Sequence, residues 1–295
     1  MHYSLLDSDI KIKDAVDHFI SLERIAVDFE GEFNLHIYGE HLCLIQIFDG
    51  KDFFIIDPRS KEVSEKGLSL FFCSPVKKVW FDSQSDASLV YKKYGKRIEN
   101  IYDIKILGMV LGFTGNLIAM EEKYLGLHKD VSKKKNQQSN WLIRPLPDSQ
   151  IEYALEDVAH LLDLEDVLNP LVASADLDKK AAALMKKAAA IKKSEPGWKK
   201  IGNWKMLSFE EKVYTKHLFI ARDNIARRFN VPAVRVMNKH LIAEFAKKRP
   251  SSEKELRERL SGENPRFFNI LVPALMKAMR SAGEEIREKG ATRQA

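Results

Sequence analysis

Short apolar runs broken by turn residues fill the first part of the chain, and a helical repeat takes over after them. Residues 3–6 have the length and composition of a strand. From 10 to 22, Ile10, Ala15, Val16, Phe19 and Ile20 are taken as one helical face, with Ser8 or Asp9 available as the cap. A strand over 25–30 follows. The runs 42–48 and 53–57 flank Asp49-Gly50-Lys51, and an Asp-Gly pair between β-prone segments predicts a hairpin with antiparallel arms. Residues 77–81 read as another buried strand, 85–94 as a helix stopped by Gly95, and 98–103 as a short strand. Helical spacing then predicts 104–111 and 117–124, parted by Gly112 and Gly115, whereas 129–140 is polar, aperiodic and reads as a loop. Asp148 is placed to cap a single helix over 149–168, with Ile151, Ala154, Leu155, Val158, Leu161 and Leu162 as its core stripe. Strands first, then helices to cover them, indicate an α/β domain ending near residue 170.

Residues 176–200 differ in character. Lys179 to Lys193 is rich in alanine and lysine, both strong helix formers, and Ser194-Glu-Pro-Gly197 breaks the pattern, so a connecting helix and a turn are expected. Residues 207–290 are helical in pattern: Ser208-Phe-Glu-Glu211 is a capping box, Asn238 and Ser251-Ser252 open further helices, and Pro265 opens the last. The expected organisation is one domain over 1–170, a helical linker over 171–206 and a small all-α bundle of about four or five helices over 207–290.

Composition adds two constraints. The 295 residues are 45% hydrophobic, enough for a sizeable core, and the two cysteines, Cys43 and Cys73, form neither a disulfide framework nor a zinc motif. No basic and apolar leader opens the sequence and no run of about 18 apolar residues occurs, so a cytoplasmic location is expected. The formal charge of +6 conceals an asymmetry. Residues 1–170 carry 20 Lys and Arg against 28 Asp and Glu, a net of −8, whereas 171–295 carry 28 against 14, a net of +14. A basic module joined to an acidic one suits a protein that grips a polyanion with one part and gathers cations with the other.

The acids of the first domain give that idea chemical content. Asp28 and Glu30 leave the same face of a strand, and two anions so placed invite a cation, although a strand end open to solvent explains the pair equally well. Asp86 falls on the first turn of a helix directly after a buried strand, and Tyr153 with Asp157 supplies a phenol and a carboxylate one helical turn apart. Neither Gly-x-x-x-x-Gly-Lys-Ser/Thr, Gly-x-Ser-x-Gly nor His-Glu-x-x-His is present, which removes the commonest ATPase, serine-hydrolase and zinc-protease readings.

Asp28-x-Glu30, Leu42-Cys-Leu-Ile-Gln-Ile47, Asp86, Ser139-Asn-Trp-Leu-Ile-Arg-Pro-Leu146 and Gln150-x-x-Tyr153-Ala-x-x-Asp157-Val158 together resemble the three exonuclease motifs of the ribonuclease D family, the tyrosine branch of the DEDD 3′–5′ exonucleases. Arg222-Asp-Asn-Ile-Ala-Arg-Arg, Val231-Pro232 and Leu241-Ile-Ala-Glu-Phe-Ala-Lys-Lys-Arg-Pro250 resemble the HRDC module, a helical nucleic-acid-binding domain. The resemblance implies a ribonuclease H-like mixed sheet with flanking helices, followed by an HRDC-like bundle. It implies two divalent ions, Mg²⁺ or Mn²⁺, roughly 3.5 to 4 Å apart. Asp28 would bridge them, Glu30 and Asp157 would complete the first site, Asp86 would support the second, and Tyr153 would orient the attacking water. The implied substrate is the 3′ end of structured RNA, tRNA precursors in particular, with nucleoside 5′-monophosphates as products and Lys133, Lys134, Lys135, Arg144 and the basic domain on the phosphates. A DNA-directed exonuclease and a non-catalytic RNA adaptor are the alternatives. The chain departs from the family pattern at Gly31-Glu32, where an aromatic is usual, and in lacking a His before Asp86. It also carries one helical module where ribonuclease D enzymes commonly carry two.

Overall fold

The computed structural model describes residues 1–128, 139–188 and 195–291, which fall into two compact units: Met1–Glu32 with Glu40–Lys192, and Phe33–Gly39 with Lys193–Ala295. The expected loop over 129–140 lies almost wholly outside the described residues, as does the end of the expected connecting helix beyond 188.

The first unit is an α/β layer structure. Its strands are β1 (Tyr3–Leu6), β2 (Arg24–Phe33), β3 (Glu40–Phe48), β4 (Phe53–Ile56), β5 (Lys77–Trp80) and β6 (Ile101–Asp103), arranged as β1-β4-β3-β2-β5-β6. The sheet is mixed: β3 and β4 form the antiparallel hairpin that Asp49-Gly50 predicts, whereas β1 with β4, β2 with β5 and β5 with β6 run parallel. Alternation along β2 sends Ile25, Val27 and Phe29 to one face and Ala26, Asp28 and Glu30 to the other. The first face is covered by α1 (Asp9–Ile20), α2 (Glu65–Phe72) and α3 (Gln84–Tyr94), through Phe19, Phe71 and Leu89 among others. Over the second lie α4 (Ile104–Val110), α5 (Leu117–Leu125), α6 (Asp148–Glu156), α7 (Leu161–Ser174) and α8 (Asp178–Ala188).

Three expectations are corrected. In α1, capped by Ser8, Ile10 is 74% and Ile20 47% exposed while Ile12 is fully buried, so the core stripe runs through Ile12, Ala15, Val16 and Phe19. The helix expected over 149–168 is two helices. Val158 and Leu161 tighten to i→i+3 bonding and His160 leaves the helix at φ −118°, which re-aims the apolar stripe: Ala154 and Leu155 pack beside Trp141, whereas Val158 and Leu161 pack beside Val79 and Leu107. Asp148 does not cap α6; Pro147 stands at that position and Asp148 is an acid of the first turn.

In the second unit Ser208 and Glu211 form the expected capping box at the start of α9 (Phe209–Arg228). Then come α10 (Ala233–Val236), α11 (Lys239–Lys247) capped by Asn238, α12 (Glu253–Arg259) capped by Ser252, and α13 (Phe268–Ala291), which a 3₁₀ turn over Pro265–Phe267 precedes. Leu218, Ile242, Phe245, Leu256 and Leu271 are fully buried in its core.

One buried cation secures the start of β5. Lys78 is fully buried, and its Nζ donates to the carbonyls of Ser74, Val76 and Glu99 at 2.7, 3.3 and 3.1 Å. Lys78→Met is expected to leave these acceptors without their shared donor and lower stability by about 1–3 kcal/mol. A thermal melt matching wild type would refute that role.

Candidate active site

β5 pairs with β2 only as far as Ala26↔Val79, after which the chain turns away into α3. Beyond Ala26, β2 no longer pairs with β5. That turn is held by Asp103, whose carboxylate accepts from the backbone N–H of Asp82 at 3.0 Å and of Ser83 at 2.9 Å and from the Ser83 hydroxyl at 2.9 Å. Asp82, at φ +64°, supplies the left-handed step. Asp86 then sits on the first turn of α3, buried, with Trp80 Nε1 donating to its Oδ2 at 3.1 Å.

From the other direction α6 delivers Tyr153 and Asp157. One carboxylate oxygen each from Asp28, Glu30 and Asp157 lie within 4.8 Å of one another. Asp86 is not in that triad, yet its charge acts on both Asp28 and Glu30. Tyr153 hydrogen-bonds Asp157 and feels Glu30 and Asp28. All five sequence-proposed residues are thus gathered at one place in the first unit.

The electrostatics follow from burial and like charge. Burial, reinforced by Asp86 and Asp157, raises the Asp28 carboxyl well above its usual range, and burial with Asp28, Asp157 and Asp86 does the same to Glu30. Asp86 is pushed up to about 7, chiefly by burial and against the stabilising Trp80 donor. Burial and the Asp157 charge raise the Tyr153 phenol, so it remains protonated near neutral pH.

Two neighbours that sequence reasoning left without a role complete the picture. Gln46 on β3 is fully buried and its Nε2 reaches Asp28 Oδ2 at 3.4 Å, while its Oε1 has no partner among the described residues. Trp141 is 1% exposed, with its ring 6.3 Å from that of Tyr153. Only knowledge of the sheet register would have singled out Gln46.

A family model described as 3′-5′ exonuclease matches residues 3–173, and an HRDC domain model matches residues 211–266. The chain belongs to the 3′-5′ exonuclease family. The ribonuclease D of Jannaschia sp. is 28% identical over 264 residues, covering 84% of this chain and 67% of that protein. Over the curated ribonuclease D relatives of this kind the chain spans about three fifths of their length. The crystal structure of Escherichia coli RNase D superposes with a TM-score of 0.76 at 23% identity over 94% of this chain and 75% of that one. The catalytic core of RRP6 from Trypanosoma brucei gives 0.75 at 22% over 95% and 80%.

For a 3′-5′ exonuclease the donor set fits a hard divalent cation. It is all oxygen, it converges on one point, and among the described residues no Lys or Arg side chain sits against Asp28 or Glu30 to neutralise it. The orphaned Gln46 Oε1 beside Asp28 is a further oxygen at that place.

Arg144, by contrast, is not available to phosphates. Its five N–H donors are taken: Nε and Nη2 by the two oxygens of Asp57 at 2.7 and 2.8 Å, Nη2 also by Cys43 O at 2.8 Å, and Nη1 by Trp141 O at 2.9 Å and Ile143 O at 2.6 Å. The guanidinium ties the segment bearing Trp141 to β3. Lys133, Lys134 and Lys135 lie outside the described residues.

Two outcomes follow for this site. An acid whose folded-state pKa is raised keeps its proton after the unfolded chain has released its own, so the metal-free fold loses stability as pH climbs from the ordinary carboxylate range through about 7. Mg²⁺ or Mn²⁺ should therefore raise the melting temperature more at about pH 8 than at about pH 5, and Asp28→Asn should remove most of the difference. Melts indifferent to the cations would contradict this. Arg144→Ala should lower stability by roughly 2–4 kcal/mol while leaving the salt dependence of nucleic-acid binding unchanged. A shallower salt slope in that variant would return Arg144 to the phosphate path.

Proposed function

We propose that the chain is a metal-dependent 3′–5′ exoribonuclease that shortens structured RNA from its 3′ end, with tRNA precursors as the substrate class, releasing nucleoside 5′-monophosphates. The observation that carries this reading is the convergence of Asp28, Glu30 and Asp157 on one point, in a chain whose curated relatives are ribonuclease D proteins. Asp28, Glu30 and Asp157 would hold one divalent ion, Mg²⁺ or Mn²⁺, and Asp28 with Asp86 a second. When bound, such ions supply Lewis-acid activation of water and charge stabilisation at the leaving 3′ oxygen.

The protein's own groups have separable tasks. Asp28 and Glu30 are fixed by a rigid strand, so their oxygens need little reorganisation when a cation arrives. Asp86 is oriented through Trp80 and Asp103. Tyr153, its phenol raised by burial and the Asp157 charge, would orient the attacking water by hydrogen bonding rather than serve as its sole base. The basic second unit supplies phosphate contacts in keeping with its HRDC match, and the RNA 2′-OH is the group by which RNA is told from DNA. A reducing, cytoplasmic setting accords with the free Cys43 and Cys73.

A 5′-labelled single-stranded RNA incubated with Mg²⁺ or Mn²⁺ should give a ladder shortening from the 3′ end, abolished by chelator. Asp28→Asn should slow it by roughly a hundredfold or more, since several kcal/mol of charge stabilisation depend on that ligand. Tyr153→Phe should slow it by up to roughly a hundredfold through misplaced water, with RNA affinity in chelator unchanged. Salt-sensitive binding with no shortening under either cation would overturn the enzymatic reading in favour of an adaptor, and equal rates on matched DNA would overturn the RNA preference.

A further inference from the structure

The second unit carries a solvent-open groove of about 370 Å³ between α9, the residues after α11, and α13. That volume is in the range of small-ligand sites, roughly 300–1,000 Å³. Its lining combines an aromatic ring, Tyr214, with the flexible apolar side chains of Met276 and Met279, and adds three guanidinium groups against one carboxylate, Glu284. Arg249 already stacks on Tyr214, its Cζ 4.6 Å from the ring centroid, and its ion pair with Glu210 is a long 3.5 Å between exposed side chains. Arg280 and Arg287 make no ion pair or hydrogen bond among the described residues, and neither does the Tyr214 hydroxyl.

Gly283 is the second sign that the groove is kept open. It lies in the interior of α13, where glycine costs about 1 kcal/mol relative to alanine. No close approach compels it: a Cβ there would meet only the Tyr214 hydroxyl, at an ordinary 3.5 Å. A side chain larger than alanine there would fill the space beside the Tyr214 hydroxyl.

An apolar and aromatic floor ringed by guanidinium groups, of which Arg280 and Arg287 are unpaired among the described residues, has the chemistry of single-strand recognition, in which a base lies on the ring while phosphates take the charges. We propose that this groove binds one nucleotide of a single-stranded RNA segment, the base against Tyr214, Met276 and Met279 and the flanking phosphates on Arg280 and Arg287. The proposal rests on the exoribonuclease reading only in taking RNA as the ligand. A duplex is excluded, because its bases are not free to enter.

The test is fluorescence anisotropy of the full chain with a labelled, unstructured RNA of about a dozen nucleotides, in chelator so that nothing is hydrolysed. Arg280→Ala/Arg287→Ala should weaken binding about tenfold and make the salt slope shallower by about two. Lys239→Ala/Lys254→Ala, which removes the same charge from exposed positions elsewhere in the unit, should weaken it about threefold or less. Gly283→Leu should weaken it about fivefold or more with the slope unchanged, and Gly283→Ala should bind as wild type while melting higher. Equal losses from the two charge pairs, with Gly283→Leu binding as wild type, would overturn the proposal in favour of diffuse attraction. Displacement of the RNA by an acidic peptide as readily as by unlabelled RNA would overturn it in favour of a protein partner. If Gly283→Leu fails to fold, the two charge pairs decide alone. A wild type that binds in this way but shortens no RNA with Mg²⁺ would count against the exoribonuclease reading and leave the groove standing.

Discussion

Four carboxylates that repel one another are held together in a largely buried site, and the rest of the first unit is arranged to keep them there. Asp28, Glu30 and Asp157 share a point within 4.8 Å, and Asp86 adds its charge from the first turn of α3. Repulsion and desolvation both favour protonation, as the raised Asp28, Glu30 and Asp86 show. A divalent cation reverses that balance, turning the cluster from a source of instability into a site with high affinity for positive charge. The short β5, the Asp103-bound turn and the buried Lys78 are the means by which the sheet opens beside Asp28 without losing its own order.

Order in the surrounding shell is carried by polar groups that have few alternatives. Trp80 spans from β5 to Asp86, Gln46 crosses from β3 to Asp28, and Arg144 ties the Trp141 segment to Asp57 and to Cys43 of β3. Such shells fix rotamers that the carboxylate oxygens would otherwise lose to mutual repulsion. The break between α6 and α7 serves the same end. It lets Tyr153 and Asp157 reach the site from one helix end while the apolar stripe continues on a different part of the sheet.

Much of this was legible in the sequence, for reasons that also explain what was not. The hairpin at Asp49-Gly50, the stop at Gly95 and the capping box at Ser208 are local, and local chemistry decides them. The five site residues stood out because Asp28, Glu30, Asp86, Tyr153 and Asp157 lie in patterns matching a known family. The facing of α1 did not, since Ile10, Ile12 and Ile20 are equally apolar and only packing against α2 and the sheet selects Ile12. The break at Asp157 contains no Gly or Pro and arises from tertiary packing. Helix α2, with glycine at Gly67 and a short length, offered too little period to be read. Arg144 looked like a phosphate contact because the residues around it say nothing of Asp57, far away in sequence.

The most direct test of the account is to locate Mn²⁺ by anomalous diffraction in crystals of the full chain. The account predicts strong peaks ligated by Asp28, one of them shared with Glu30 and Asp157, and their loss in Asp28→Asn. Crystals grown at about pH 8 in Mn²⁺ that show the four carboxylates still apposed and no anomalous density beside Asp28 would contradict it.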